Sequence, residues 1–120
     1  MIIVAGWIEI DPDRVESALA EADPYIRPVR AWDGCLDYAW GADVVEPGRI
    51  NIYECWADEA SFAAHLAGEN YRNMRDHVGK LGTRAGHVRK YRIDLAEPVY
   101  DDSGTPRADF FTDPGASTKV

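Results

Sequence analysis

The sequence has little of what marks several common classes of small protein. Its 120 residues include two cysteines, Cys35 and Cys55, which are too few for the disulfide framework of a small secreted domain. No apolar run is long enough to cross a bilayer, and the first residues lack the basic segment of a signal peptide. We therefore expect a cytoplasmic protein with reduced thiols and no membrane partner.

Positive charge is also scarce, because 13 Lys and Arg residues stand against 21 Asp and Glu, for a formal net charge of −8. An acidic surface repels phosphate groups, so nucleic acid is not an expected partner. The three histidines, at positions 65, 77 and 87, lack the spacing of a helical zinc pair, and no Cys-x-x-Cys, phosphate loop or dinucleotide fingerprint occurs. The sequence predicts no metal site and no cofactor.

The hydrophobic pattern predicts the element order β-α-β-β-α-β. Four strands are expected from alternating or β-branched runs, at residues 2–10, 35–42, 50–57 and 87–95. A first helix follows Asp11 as N-cap and Pro12, with a kink or break at Pro24 and Pro28. A second helix follows Asp58 and is interrupted at Gly68.

This order is that of a ferredoxin-like α+β fold, a four-stranded antiparallel sheet with the helices on one face. We place the domain at residues 1–98 and a polar tail at 99–120, disordered or packed on a partner subunit. The helices leave one sheet face uncovered, with Ile3, Ala5 and Trp7 on it. A soluble monomer rarely exposes such a patch, so the pattern favours a homodimer formed sheet to sheet.

The residues able to carry chemistry cluster on the third strand and the second helix. Glu54 lies between apolar strand neighbours, and His65 shares a helical stripe with Phe62. The structural alternatives are a solvated or ion-paired Glu54 and a hydrogen-bonded core His65. The candidate catalytic residues are His65, Glu54 and Arg75, and the candidate substrate-binding residues are Trp56, Phe62, Ile52, Tyr38 and Tyr71.

Four short motifs occur in order along the chain: Gly34-Cys35-Leu36-Asp37-Tyr38, Pro47-Gly48, Tyr53-Glu54-Cys55-Trp56 and Ala64-His65-Leu66. Together they resemble the antibiotic biosynthesis monooxygenase family, and the similarity spans residues 2–96. The resemblance implies a dimeric α+β barrel fold. It also implies oxidation of quinols or aromatic polyketides by O₂ without metal or flavin, for which a pocket base, oxyanion donors and an aromatic wall such as Trp56 would suffice.

The sequence departs from that family at several positions. Polyketide-oxidising members carry an Asn and a Tyr where this chain has Ile52 and Phe62, and the pocket arginine matches Arg75 only with a one-residue gap. The heme-degrading branch has Asn, Trp and His where this chain has Trp7, His65 and Arg75, which argues against heme.

Three functions remain open from the sequence. The first is a cofactor-independent monooxygenase acting on a quinol-like or polycyclic phenolic compound. The second is a non-catalytic small-molecule-binding or stress-related dimer, and isomerase-like or decarboxylase-like activity is a further alternative, because one fold hosts several functions.

Overall fold

The computed structural model describes residues 1–112, and these form one antiparallel sheet with helices on one side. The elements are β1 (Ile2–Glu9), a 3₁₀ turn (Pro12–Arg14), α1 (Val15–Arg30), β2 (Cys35–Ala42), β3 (Arg49–Trp56), α2 (Glu59–Leu66), α3 (Glu69–Gly79) and β4 (Ala85–Arg92). The strand order is β2-β3-β1-β4, with every neighbouring pair antiparallel. The predicted ferredoxin-like α+β fold is confirmed. The part of the predicted tail at residues 113–120 lies outside the described residues.

The first helix differs from its prediction, because α1 continues through Pro24 and Pro28 as one helix. Both prolines lie on the exposed side, where water can satisfy the carbonyl groups that lose a backbone donor. The opposite side buries Ala18, Ala22 and Val29 against the sheet. Packing of that side outweighs the two missing hydrogen bonds, so the expected break is wrong.

The second helical segment is divided at Gly68, as the sequence predicts. The Asp58 carboxylate accepts a hydrogen bond from the Ser61 N–H at 2.7 Å and caps α2. Gly68 then has an extended backbone and separates α2 from α3. Within residues 1–112, no helix is long and apolar enough to span a membrane.

The helices cover the sheet unevenly, and this positions the cavity described below. Ile2, Val4, Ile50 and Ile52 are buried on the helix side of the central strands. α1 packs over β2, and α3 packs on α1 rather than on β4. All eight residues of β4 are therefore exposed, and a gap remains between α3 and the β1–β4 half of the sheet.

Gly6 allows the close approach of β1 and β4, and its replacement should be costly. A Cβ at Gly6 would overlap the His87 carbonyl oxygen and the Val88 Cα, both backbone atoms that cannot rotate away. Gly6→Ala should therefore lower the free energy of unfolding by about 3 kcal/mol, measured by urea denaturation. Gly41→Ala on β2 is the matched control, because a Cβ there meets nothing within 4 Å. Equal midpoints for the two variants would contradict the expectation.

Candidate functional site

A cavity of about 510 Å³ lies between the α2–α3 segment and the helix side of the sheet. We call it the sheet–helix cavity. Its wall is mostly apolar, with one carboxylate and three basic residues. It is lined by Val4, Tyr38, Trp40, Ile52, Glu54, Phe62, Leu66, Tyr71, Met74, Arg75, Val78, Val88, Arg89 and Lys90. Its size and apolar wall suit a small organic ligand.

Glu54 is the acidic group of this cavity. It lies on the helix side of β3, and its Oε1 accepts a hydrogen bond from the Trp56 indole Nε1–H at 3.0 Å. Burial raises the pKa of Glu54, and the hydrogen bond from Trp56 offsets part of that rise. Glu54 forms no ion pair with any residue of the described chain. A carboxylate in this environment is a stronger base than one in water.

Two hydrogen-bond donors lie beside Glu54 on the neighbouring strand. Tyr38 pairs with Glu54 across the β2–β3 ladder, and Trp40 pairs with Ile52. Burial, and then the Glu54 carboxylate, raise the pKa of Tyr38, so its hydroxyl keeps its proton. The buried Trp40 Nε1–H lies near enough to the Tyr38 hydroxyl to offset part of that rise in pKa, but it forms no hydrogen bond of ordinary geometry with any of residues 1–112. One acceptor and two donors therefore share this end of the sheet.

His65 and Trp56 lie behind the lining rather than in it. Trp56 is fully buried and His65 is 3% exposed, and their rings stack with centroids 4.7 Å apart. Tyr38, Tyr71 and Trp32 meet the imidazole edge-on, at 5.9, 5.5 and 6.2 Å. Burial lowers the pKa of His65, which keeps the ring neutral at neutral pH. The sequence predicts Trp56 as a flat wall of the cavity and His65 as its base. In the structure both side chains lie one layer behind the cavity wall, where they support Glu54 and Tyr38.

The other predicted residues do line the cavity, and Arg75 is the charged one among them. Phe62 and Ile52 contribute apolar wall, and Tyr71 connects the cavity to His65. Arg75 is exposed on α3 and forms no ion pair within the described part of the chain. With Lys90 on β4, it makes this side of the cavity basic, which would attract an anionic or oxygen-rich ligand.

Several residues that line the cavity were not predicted from the sequence. Trp40 could have been found, because it shares a strand face with Tyr38. Met74 and Val78 could also have been found, because they continue the helical stripe that begins at Tyr71. Lys90 carried no signal, because its contribution depends on the gap above β4.

Metal binding is not indicated by the described geometry. No group of three or more His, Cys, Asp or Glu side chains within residues 1–112 is arranged to hold a metal ion. The expectation that the protein works without a cofactor stays a prediction, and an absorption spectrum with elemental analysis of the purified protein tests it.

The sequence of this chain matches a known protein family. The family model described as antibiotic biosynthesis monooxygenase matches residues 1–77, which include β1 to β3, α2 and most of α3. The similarity therefore covers the strand that carries Glu54 and the helix that carries His65.

Individual relatives agree with that match. Protein sll1783 of Synechocystis, itself uncharacterised, is 26% identical to this chain over 92 residues. The match covers 77% of this chain and 63% of that protein, so the chain spans under two thirds of this relative's length. Rv0793 of Mycobacterium tuberculosis, a proposed monooxygenase, is 32% identical over 73 residues, or 61% of this chain and 71% of that protein.

Solved structures show the same fold. The structure of Rv0793 superposes with a TM-score of 0.68 at 28% identity and covers 80% of this chain and 96% of that chain. A proposed antibiotic biosynthesis monooxygenase from Deinococcus radiodurans superposes with a TM-score of 0.70 at 22% identity, covering 84% of this chain and 100% of that chain.

Proposed function

Because this chain belongs to the antibiotic biosynthesis monooxygenase family, we propose that it is a cofactor-independent monooxygenase that oxidises a quinol-like or polycyclic phenolic compound with O₂. Proposed monooxygenases among its relatives support the reaction type. The substrate class is argued from the sheet–helix cavity, whose apolar and aromatic wall suits a flat ring system.

The observation that carries the proposal is the environment of Glu54. Its pKa is raised by burial, it has no ion-pair partner among the described residues, and its carboxylate is oriented by Trp56. A phenol whose hydroxyl meets this carboxylate would lose its proton to Glu54. The Tyr38 hydroxyl and the Trp40 N–H lie at the same end of the sheet and would stabilise the resulting oxyanion.

The remaining chemistry belongs to the substrate and O₂. An electron-rich phenolate can pass one electron to O₂, and the two radicals then combine to form a peroxide on the ring carbon. Glu54 returns its proton to the peroxide anion, and the resulting hydroperoxide loses water together with the hydrogen of the same ring carbon. One oxygen atom stays on the substrate as a carbonyl, both protons of the water come from the substrate, and Glu54 is ionised again. The protein has to hold the ring, accept the proton and keep water away.

The alternative, a non-catalytic binding protein of the same fold, has one observation in its favour. Ile52 and Phe62 line the cavity at the positions where polyketide-oxidising relatives are expected to have polar groups. Such a cavity would bind an apolar ring with fewer groups to act on it.

Oxygen consumption separates the two functions. The proposed monooxygenase should consume O₂ in the presence of a hydroquinone or an anthrone and release the oxidised ring product. Saturable binding of these compounds, seen as quenching of tryptophan fluorescence, without enzyme-dependent oxygen uptake would favour the binding protein.

The pH dependence of turnover should depend on Trp56. Since Glu54 has to be ionised to accept a proton, kcat/KM should fall at acid pH, with a midpoint above the ordinary glutamate value of 4.5. Trp56→Phe removes the hydrogen bond that lowers the pKa of Glu54, so the midpoint should move to still higher pH. Trp32→Phe, which alters the same aromatic cluster through His65, should leave the midpoint unchanged. An unchanged midpoint in Trp56→Phe would show that Trp56 does not influence the acid–base step.

We also propose a homodimer formed through the uncovered sheet face. Ile3, Trp7 and Tyr53 lie on that face and remain partly exposed in a single chain. Tyr53→Asp would bury an unpaired charge in the contact, and sedimentation should then show monomers or aggregates. Val45→Asp, in the exposed β2–β3 connection, is the matched control and should sediment as the unaltered dimer. A wild-type protein that sediments as a monomer at micromolar concentration would remove this contact.

A further inference from the structure

Residues 94–112, which we call the C-terminal arm, form a structured extension after β4. The Glu97 carboxylate accepts hydrogen bonds from the Phe111 and Thr112 N–H groups at 3.0–3.1 Å, and Tyr100 forms a β-bridge with Pro106. Every hydrogen bond and ion pair of the arm within the described residues joins two residues of the arm itself. The arm therefore has a defined shape but no polar attachment to the body of its own chain.

The surface of the arm is both apolar and acidic. Val99, Tyr100 and Phe110 are 62%, 61% and 69% exposed. The arm has one basic residue, Arg107, and five carboxylates, which are Asp94, Glu97, Asp101, Asp102 and Asp109. Three large exposed apolar side chains on a structured segment indicate a contact surface for another protein.

The surface of β4 has the complementary character. β4 is an edge strand, so one side of its backbone is unpaired, and all its residues are exposed. Arg89, Lys90 and Arg92 form no ion pair with any residue that the structure describes. Val88 and Tyr91 add exposed apolar surface, at 44% and 47%.

A groove of about 480 Å³ runs beside this strand. We call it the β4 groove. It is lined by Ile2, Glu59, Phe62, Ala63, Leu66, Lys90, Tyr91 and Arg92, so Glu59 is its one acidic residue against two basic ones. Phe62, Leu66 and Lys90 also line the sheet–helix cavity. Whatever fills the β4 groove therefore also covers one side of that cavity.

We propose that the C-terminal arm of one copy of this chain docks on β4 and the β4 groove of a second copy. The arm of the same chain leaves β4 exposed. The acidic and apolar side chains of the arm are complementary to the basic and apolar side chains of β4. The partner's arm then closes the cavity beside Lys90, so the ligand site is complete only in the dimer. The proposal requires a second copy, but it requires neither oxygenation nor the sheet-face contact.

Disulfide trapping in a mixture of two full-length variants tests where the arm lies. One variant carries Phe110→Cys and the other carries Arg92→Cys, which lies on the helix side of β4 in the β4 groove, and the two are mixed in equal amounts and mildly oxidised. A disulfide-linked pair containing one chain of each kind is expected. Mixing Phe110→Cys with Val44→Cys is the matched control, because Val44 is 98% exposed in the β2–β3 connection, at the edge of the sheet opposite β4. The wild-type chain, oxidised alone, accounts for linkage through Cys35 and Cys55.

Three outcomes would overturn the proposal. Linkage of Phe110→Cys to Val44→Cys as readily as to Arg92→Cys would indicate random collision. No linkage in either mixture would place the arm elsewhere. A Phe110→Cys/Arg92→Cys double variant that forms its disulfide within one chain at high dilution would mean that each arm docks on β4 of its own chain. None of these results depends on turnover, so failure here and failure of the proposed oxygenation are distinguishable.

Charge reversal gives a second measurement that needs no new cysteine. Lys90→Glu/Arg92→Glu should weaken dimer formation at least tenfold, measured by sedimentation, because the acidic arm then meets an acidic strand. Adding Asp94→Lys/Asp102→Lys to the same chain should restore much of the loss, since neither aspartate is hydrogen-bonded or ion-paired in the described structure. Lys80→Glu at the end of α3 is the matched single-charge control. A dimer indifferent to both reversals would overturn the docking of the arm.

Discussion

Replacing Glu54 by glutamine should lower the turnover number at least about 100-fold, the usual contribution of a positioned general base. Glutamine keeps the size of the side chain and an oxygen that can accept the hydrogen bond from the Trp56 indole. It cannot accept a proton from the substrate. Because the geometry is retained and the base is lost, the effect should appear in kcat, with little change in binding of the ring compound.

The control for this variant is Glu16→Gln on the exposed first turn of α1, which changes the net charge equally and should turn over normally. A substrate analogue that binds to Glu54→Gln with unaltered affinity would show that the cavity is intact. Full oxygen consumption by Glu54→Gln would remove Glu54 from the chemistry, and with it the observation on which the proposed function depends.

Tyr38 offers an independent check on the same step. If its hydroxyl stabilises an oxyanion, Tyr38→Phe should slow turnover by about 10-fold or more. The fall in rate at acid pH should be unchanged, because it depends on the ionisation of Glu54. The pKa of Tyr38 is raised by burial and by Glu54, so its hydroxyl remains a donor across the range in which enzymes are assayed. The expected result is a lower rate without a shift in midpoint.

Much of the fold was predictable because local patterns and tertiary packing agree. The alternation at Leu36, Tyr38 and Trp40, and the turn at Pro47-Gly48, specify a hairpin whatever packs on it. α1 could not be predicted in the same way. Two prolines favour a break, and only the burial of Ala18, Ala22 and Val29 against the sheet reverses that preference.

The residues of the site were predictable from the sequence, but which of them line the cavity and which lie behind its wall was not. Strand alternation correctly places Glu54 and Trp56 on the helix side of β3, and helical periodicity turns His65 toward the sheet. Periodicity cannot say which of these side chains reaches the cavity, because that depends on how far α3 stands from β4. The large rings pack together as core, and the smaller carboxylate is left at the cavity wall.

Replacing His65 by alanine should lower the free energy of unfolding by about 3 kcal/mol, because it leaves a void among packed rings. The imidazole stacks on Trp56 and meets Tyr38, Tyr71 and Trp32 at their edges. Activity of His65→Ala would therefore fall through loss of structure, and this variant alone cannot separate a base from a packing residue. Urea denaturation monitored by tryptophan fluorescence measures the expected loss.

His65→Phe separates the two roles, because it fills the same space with an aromatic ring that carries no nitrogen. If Glu54 is the base, oxygen consumption by His65→Phe should stay within a few-fold of the wild type, whereas a catalytic His65 predicts a loss of about 100-fold.

The pH dependence of folding stability gives a second measurement on the same variant. Burial lowers the pKa of His65 from 6.5, so the unfolded chain binds a proton at a higher pH than the folded one does. The stability that comes from burying the neutral imidazole is fully present above pH 6.5. It is lost as the pH falls toward the lower pKa that His65 has in the folded protein. Between pH 7.5 and pH 5.5, the wild type should therefore lose more stability than His65→Phe, and equal losses in the two proteins would show that His65 is not buried in its neutral form.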